Sequence, residues 1–242
     1  MRPGTCPFTV ERPVMRQRWA RLTFLHWRFD PADVQALLPE GLTADLFDGA
    51  AWVGLVPFFM HVAMPSGREV PWVSRFCETN VRTYVRDRAG RAGIWFFSLD
   101  AARLGAVAVA RTTYRLPYFW SAMQIAGDDA SVSYRCRRRR LGPRGLTSDV
   151  SIAIGDRYDA AELTERDHFL TARWMLFSVS GSAGRHRLAR AFHDPWPLFR
   201  AEVRRLDDHL LPAAGLPRPS GPPLVHYSPG VDVAIGRPEP GA

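Results

Sequence analysis

Hydrophobic and polar residues alternate with a period of two over much of the first 155 residues, and turn-forming residues punctuate the runs. Trp19–Phe29, Ala51–Val62, Phe76–Arg86, Gly93–Asp100, Ala106–Leu116, Ser131–Arg137 and Asp149–Ile154 read as strands. Their connections are short and turn-like, as at Arg88-Ala89-Gly90 and Gly127-Asp128-Asp129. Short connections favour antiparallel pairing, because parallel strands need long crossovers. The expected fold class is therefore α+β and mostly β, an antiparallel sheet curled into a barrel.

About three helices interrupt the alternation. Asp30-Pro31 supplies an N-cap and a first-turn proline, Val34, Leu37 and Leu38 form one face, and Pro39-Glu40-Gly41 stops the helix. A second helix starts at Thr164, with Asp167 at capping-box spacing, and presents Phe169, Leu170, Trp174 and Phe177 to the core. A third is predicted from Phe199, Val203, Leu206 and Leu210, ending at Pro212. From about residue 212 the chain is rich in proline and reads as an extended strap, with short strands at Leu224–Tyr227 and Val231–Ile235. No repeat or linker divides the chain, so residues 1–242 are expected to form one domain.

Composition narrows the chemistry. All 32 Lys+Arg residues are arginine. A lysine Schiff base, a pyridoxal phosphate attachment point and a P-loop lysine are therefore excluded. The net charge of +8 would ordinarily suggest nucleic acid or an anionic membrane as partner. Complete replacement of lysine by arginine instead reads as a compositional bias that places arginine everywhere. The densest run, Arg135 to Arg140, is bounded by Leu141-Gly142-Pro143 and reads as a solvated strand end entering a turn. The expected partner is a small molecule, with no specific nucleic acid and no membrane; a homo-oligomer is left open.

The longest apolar stretch, Ala50–Met64, is broken by Pro57 and His61, and no signal-like run precedes it. Cys6, Cys77 and Cys136 are odd in number and lack CxxC or Cys/His ligand spacing. These features lead to the expectation of a cytoplasmic protein with no disulfide framework, no metal site and no cofactor. The seven histidines never fall at close ligand spacing, His186 and His193 included, and each reads as a structural histidine. Ser178 to Gly184 has the composition of a phosphate-cradling loop but lacks GxGxxG and the P-loop lysine, so a plain turn is expected. There is no GxSxG elbow.

The strand Phe76–Arg86 sorts its residues onto two faces. Glu78, Asn80, Arg82 and Tyr84 share one; Cys77, Thr79, Val81, Thr83 and Val85 share the other, which suits packing against a second layer. The polar face is either a solvent face or the lining of a barrel pocket, where a carboxylate, an amide, a guanidinium and a phenol could bind and polarise a small ligand. Read as a strand, Ala106–Leu116 places Arg111 after an apolar lead-in, as an anion anchor or as the partner of a neighbouring carboxylate.

Taken in order, Phe24-Leu25-His26-Trp27, Leu38-Pro39-Glu40-Gly41-Leu42, Phe47 to Gly54, Glu78 to Val85, Trp95 to Asp100, Ala110-Arg111 through Leu116-Pro117-Tyr118, His193 to Leu198 and Tyr227 to Val231 resemble the YqjF-like family of uncharacterised proteins. The resemblance covers nearly the whole chain. It implies kinship with the acetoacetate decarboxylase superfamily, and with it a cone-shaped, largely antiparallel barrel with a pocket inside. In the decarboxylases an arginine is followed six residues later by proline and then by two lysines, the first of which forms the Schiff base. Arg111 and Pro117 keep that spacing, but Tyr118 and Phe119 occupy the lysine positions.

The resemblance places Glu78 at a pocket glutamate of the decarboxylases. Their other pocket glutamate has no clear counterpart near Trp52–Gly54, and their pocket arginine falls near Ala20, so Arg18 or Arg21 could replace it only with a change of register. The expected site is thus Glu78 as acid/base, with Arg82, Arg111, Asn80, Tyr84 and Tyr118 as ligand-binding residues. Two readings of function stay open: an enzyme acting on a small carbonyl or carboxylate compound by non-covalent acid/base chemistry, and a non-catalytic ligand-binding or sensing barrel.

Overall fold

A computed structural model describes residues 4–180 and 185–241. The described chain is mostly strand: β1 (Met15–Phe29), β2 (Leu42–Ala44), β3 (Ala51–Ala63), β4 (Arg75–Asp87), β5 (Ala92–Ala101), β6 (Tyr118–Gly127), β7 (Ser131–Arg140), β8 (Thr147–Arg157), β9 (Met175–Ser180), β10 (Arg185–His193), β11 (Phe199–Asp208), β12 (Leu224–Ile235) and β13 (Glu239–Pro240). Short helices flank the sheet: α1 (Pro31–Gln35), α2 (Leu104–Val109), α3 (Glu165–Thr171) and α4 (Leu210–Ala213). None of the described helices is long and apolar enough to cross a membrane.

The strands form one sheet in the order β13-β10-β9-β5-β6-β7-β8-β11-β12-β1-β3-β4-β2, and further β4–β5 and β10–β12 pairings close it on itself. The run β12-β1-β3-β4-β5 becomes a wall shared by two rings, one completed by β6, β7, β8 and β11 and the other by β9 and β10. Its two faces carry separate cores. Leu25, Trp27, Leu55 and Val81 pack with Val132, Tyr134, Val150 and Ile152 on one side. Leu22, Phe24, Val56, Phe58, Phe76 and Phe96 pack on the other.

A single irregularity keeps β1 in phase with that division. Met15, Gln17, Trp19 and Leu22 all line the same cavity although the step from Trp19 to Leu22 is three residues. The β1–β3 register shifts between Ala20 and Leu25, and Arg21 sits at φ 49°. The extra residue of the bulge converts odd-numbered inward positions into even-numbered ones. Gly230 faces this point at φ 129°, where a Cβ would lie 2.1 Å from the Trp19 carbonyl oxygen, so only glycine fits.

Several expectations are corrected by the fold. Ala106–Leu116 is not a strand but α2 followed by a π-helical turn over Ala110–Tyr114, ended by Arg115 at φ 53°. The reason is topological: β5 pairs in parallel with β6, and the crossover this demands runs through that segment. β5 also pairs in parallel with β9, while the other ladders are antiparallel as expected.

Phe199–Asp208, expected as helix, is β11. Its register shifts at Phe199/Ala201 and Val203/Arg205, and the second extra residue stretches the inward spacing from Val203 to Leu206 to three, which imitates a helical period. α3 begins with the expected Thr164/Asp167 capping box but ends at Thr171; Trp174 precedes β9 and Phe177 lies within it. The tail is more than a strap, because Leu224–Ile235 is one continuous strand paired with both β1 and β11. The arginine run lies on β7, and its alternation buries Arg138 while leaving Arg137, Arg139 and Arg140 exposed. The loop expected over Ser178–Gly184 lies outside the described residues from 181 to 184; Ser178 itself is in β9.

Candidate functional site

The second ring is not filled. A cavity of about 420 Å³ remains inside it, walled by β1, β3, β4, β5, β9 and α2. Its lining is mostly apolar, and the main polar grouping runs along one line on β4, where Glu78, Asn80 and Arg82 follow one another at the two-residue repeat of a strand. Tyr118, the first residue of β6, joins them. The register sets their depth: Phe76 stands opposite Met60, Glu78 opposite Phe58, Asn80 opposite Val56, and Arg82 opposite Gly54. Phe76 lies toward the mouth, where Met64, Val70 and Val109 are exposed, and Arg82 lies toward the closed end.

Glu78 is 2% exposed and its Oε2 accepts a hydrogen bond of 2.8 Å from the Tyr118 hydroxyl. Burial pushes its carboxyl up to about 8, against hydrogen bonding from Tyr118 and Asn80 and assisted by the nearby charge of Asp100. At neutral pH the group is therefore a buried, mostly protonated acid that can give a proton to a ligand. Burial and the adjacent Glu78 push the Tyr118 phenol well above its ordinary value, so it stays a donor.

Arg82 is 4% exposed, and its Nε has no hydrogen-bond partner among the described residues. The guanidinium lies 5.2 Å from the centre of the Phe24 ring and 5.9 Å from that of Tyr84. The described structure buries two other arginines, and both are matched: Arg138 by Asp100 at 2.6 Å and Arg173 by Asp45 at 2.7 Å. Arg82 has no such carboxylate within ion-pair distance among the described residues. Asn80 Oδ1 likewise lacks a partner among them.

Two expected site residues are placed elsewhere. Arg111 is exposed on the π turn, and its Nη1 donates to the Tyr118 main-chain carbonyl at 2.7 Å, which ties down the start of β6. It is not an anchor inside the cavity, because the segment that carries it is helical and turns it outward. Tyr84 is fully buried beyond the closed end and does not line the cavity. Its hydroxyl lies 2.6 Å from His26 Nε2 and donates to the Leu170 carbonyl at 2.6 Å. A single phenolic proton cannot serve both, so His26 donates through Nε2 and Tyr84 passes the bond to the end of α3.

His26 is expected from its spacing to be a satisfied structural histidine, yet this arrangement leaves its Nδ1 unpartnered among the described residues. Burial, followed by the Arg82 charge, holds His26 well below the usual histidine range. A Cβ on Gly54 would come within 2.9 Å of the His26 ring, so the glycine makes room for it. His193 shows the same half-satisfied state: Nδ1 bonds the Asp194 carbonyl at 2.7 Å and Nε2 is unpartnered among the described residues. Nothing in histidine spacing signals this, because both rings approach from strands far apart in sequence. Of the remaining polar lining, Gln17 and Ser74 carry no sequence signal at all.

Comparison with known proteins agrees with this architecture. The family model DUF2071, described as an uncharacterized conserved protein, matches residues 16–232. The uncharacterized protein YqjF of Bacillus subtilis (strain 168) is 32% identical over 229 residues, covering 91% of this chain and 89% of that protein. An acetoacetate decarboxylase-like enzyme from Sphingomonas wittichii RW1 superposes with a TM-score of 0.67 at 15% identity, covering 98% of this chain and 99% of that one. The enduracididine biosynthesis enzyme MppR complexed with pyruvate superposes with a TM-score of 0.66 at 13% identity, covering 95% of this chain and 91% of that one. At those identities the two structures speak to the fold, which is the expected decarboxylase-like one.

Proposed function

The chain belongs to the DUF2071 family, and from that premise we propose that it binds a small carboxylate or carbonyl compound in the cavity beside β4 and acts on it by non-covalent acid/base chemistry. The observation that carries this reading is Arg82, a buried guanidinium beside a cavity with no carboxylate among the described residues to neutralise it. An unpaired buried charge is costly to a fold. A carboxylate ligand supplies the missing partner, in the geometry a guanidinium recognises best.

With the ligand's anionic end at Arg82, the next polar atoms along it come level with Asn80 and Glu78. Protonated Glu78 gives its proton to a carbonyl oxygen there, and the carboxylate left behind, held by the Tyr118 hydroxyl, takes the α-proton, so that an enol forms and Glu78 regains its proton. The resemblance puts Tyr118 at the position of the decarboxylases' nucleophilic lysine, and no lysine occurs anywhere in the sequence, so no lysine imine forms on this chain. The ability of a protein of the same fold to hold pyruvate supports an oxoacid as ligand class.

Calorimetric titration with pyruvate and acetoacetate, with the α-proton followed by NMR in deuterium oxide, tests the reading. Binding should be lost in Arg82→Met and proton exchange in Glu78→Gln. Binding without exchange at any pH would select the sensing barrel instead. Binding that ignores Arg82→Met would overturn the assignment of the site, and borohydride trapping of the carbonyl compound on a side chain would refute the non-covalent chemistry.

A further inference from the structure

The cavity holds more than the polar line on β4 needs. At ~30 Å³ per water-sized atom, its 420 Å³ has room for about fourteen such atoms, and a four-carbon acid fills roughly half of that. The space left over has a direction. Between Arg82 and the mouth, β4 advances six residues to Phe76, ~20 Å at about 3.3 Å per residue. Past Glu78 the walls are mostly apolar: Met15, Met60, Val62 and Phe76 from the strands, Val14 just before β1 and Val109 from α2, with Gln17 and Ser74 as the polar exceptions.

The apolar character continues outward. Met64 at 53%, Val70 at 47% and Val109 at 55% exposure line the mouth, so apolar wall reaches solvent beside Gln17 and Ser74. A short acid would leave this surface facing trapped water, which the hydrophobic effect disfavours. A pocket with a buried cation at its closed end and an apolar barrel toward its mouth matches a molecule with the same two ends.

We propose that the ligand is an amphipathic monocarboxylate, its carboxylate at Arg82 and an unbranched apolar tail of about eight to twelve carbons running past Met60 and Phe76 to the mouth. The assignment rests on the carboxylate reading given above and extends it to the rest of the molecule. It also orders the ligand: the atoms nearest the acid lie beside Asn80, Glu78 and Tyr118, where the chemistry is, and the tail confers affinity.

The test is a series of straight-chain carboxylates from butanoate to dodecanoate, titrated below their micellar concentrations into the wild-type protein. Affinity should rise by about fourfold for each added CH₂ and level off once the tail reaches the mouth. Val109→Trp, which narrows the mouth end, should bring that plateau down by several carbons, while Arg82→Met should weaken every member by the same factor. Affinity that is flat across the series, with butanoate bound, overturns the amphipathic assignment and leaves the small-carboxylate reading standing. Failure of every member to bind a folded protein overturns both.

Discussion

The two faces of the shared β12-β1-β3-β4-β5 wall are built from the same strands and do opposite things with their polar groups. Toward β7 and β8 lies a packed apolar core, and the arginine buried there is matched. Asp100 accepts two hydrogen bonds from Arg138, at 2.9 and 2.6 Å, and a third from the Ser121 hydroxyl at 2.6 Å. The guanidinium also lies 3.7 Å from the centre of the Phe119 ring. Toward β9 and β10 the space is left open, and the groups beside it are left wanting: Arg82 Nε and Asn80 Oδ1 lack partners among the described residues, and Glu78 keeps its proton. A buried polar group that serves the fold is satisfied by the fold. Arg82 and Asn80 are not, and both border one cavity, which is the ground for proposing a ligand there.

The largest expected effect comes from spoiling the satisfied side. Arg138→Met strands Asp100 in the dry core and should cost about 3–5 kcal/mol by chemical denaturation; a loss under ~1 kcal/mol would show the pair to be solvated. Adding Asp100→Leu to it should recover most of that loss.

Comparable in size over its full pH range is an effect on the open side. The folded Glu78 titrates near 8 and the unfolded one near the ordinary glutamate value, so between those limits the folded chain holds a proton that the unfolded chain has released. Stability is therefore lost as pH rises through this window, by up to about 1.4 kcal/mol per pH unit from this group. Glu78→Gln should remove that slope and be the more stable protein at pH 8. A wild-type-minus-variant difference independent of pH between 5 and 8 would contradict the assignment.

A smaller effect, and a sharper contrast, is expected of Arg82→Met. It deletes a buried arginine as Arg138→Met does, but one whose charge no carboxylate offsets, so stability should rise, by about 1 kcal/mol, while binding of pyruvate is lost. Equal destabilisation by the two substitutions would erase the difference between the faces. The smallest effect belongs to Arg137→Ala, Arg139→Ala and Arg140→Ala on the exposed part of β7, each within ~0.5 kcal/mol.

How much of the molecule is legible in the sequence depends on whether a strand keeps its phase. β4 is unbroken from Phe76 to Arg82 along its inner face, and its alternation alone assigns Glu78, Asn80 and Arg82 to one side. Alternation does not say whether that side meets solvent or a cavity, because this depends on strands far away in sequence. β11 misleads for the opposite reason, its bulge giving Val203 and Leu206 the spacing of a helix. The alanine-rich stretch around Val107 and Val109 offers two apolar residues two apart and little else, too weak a pattern to separate a strand from a short helix. The expectation for Arg111 inherits that error. Tyr84 belongs to the expected face but lies beyond the cavity's end, against α3, a depth that alternation does not encode.

The most direct measurement is the titration of Glu78 itself, by difference infrared spectroscopy of the carboxyl C=O stretch between wild type and Glu78→Gln from pH 4 to 10. The account requires a protonated carboxyl band that persists through pH 7 and disappears around pH 8. A band lost near pH 4–5 would mean a solvated carboxylate, and with it no poised acid in the cavity.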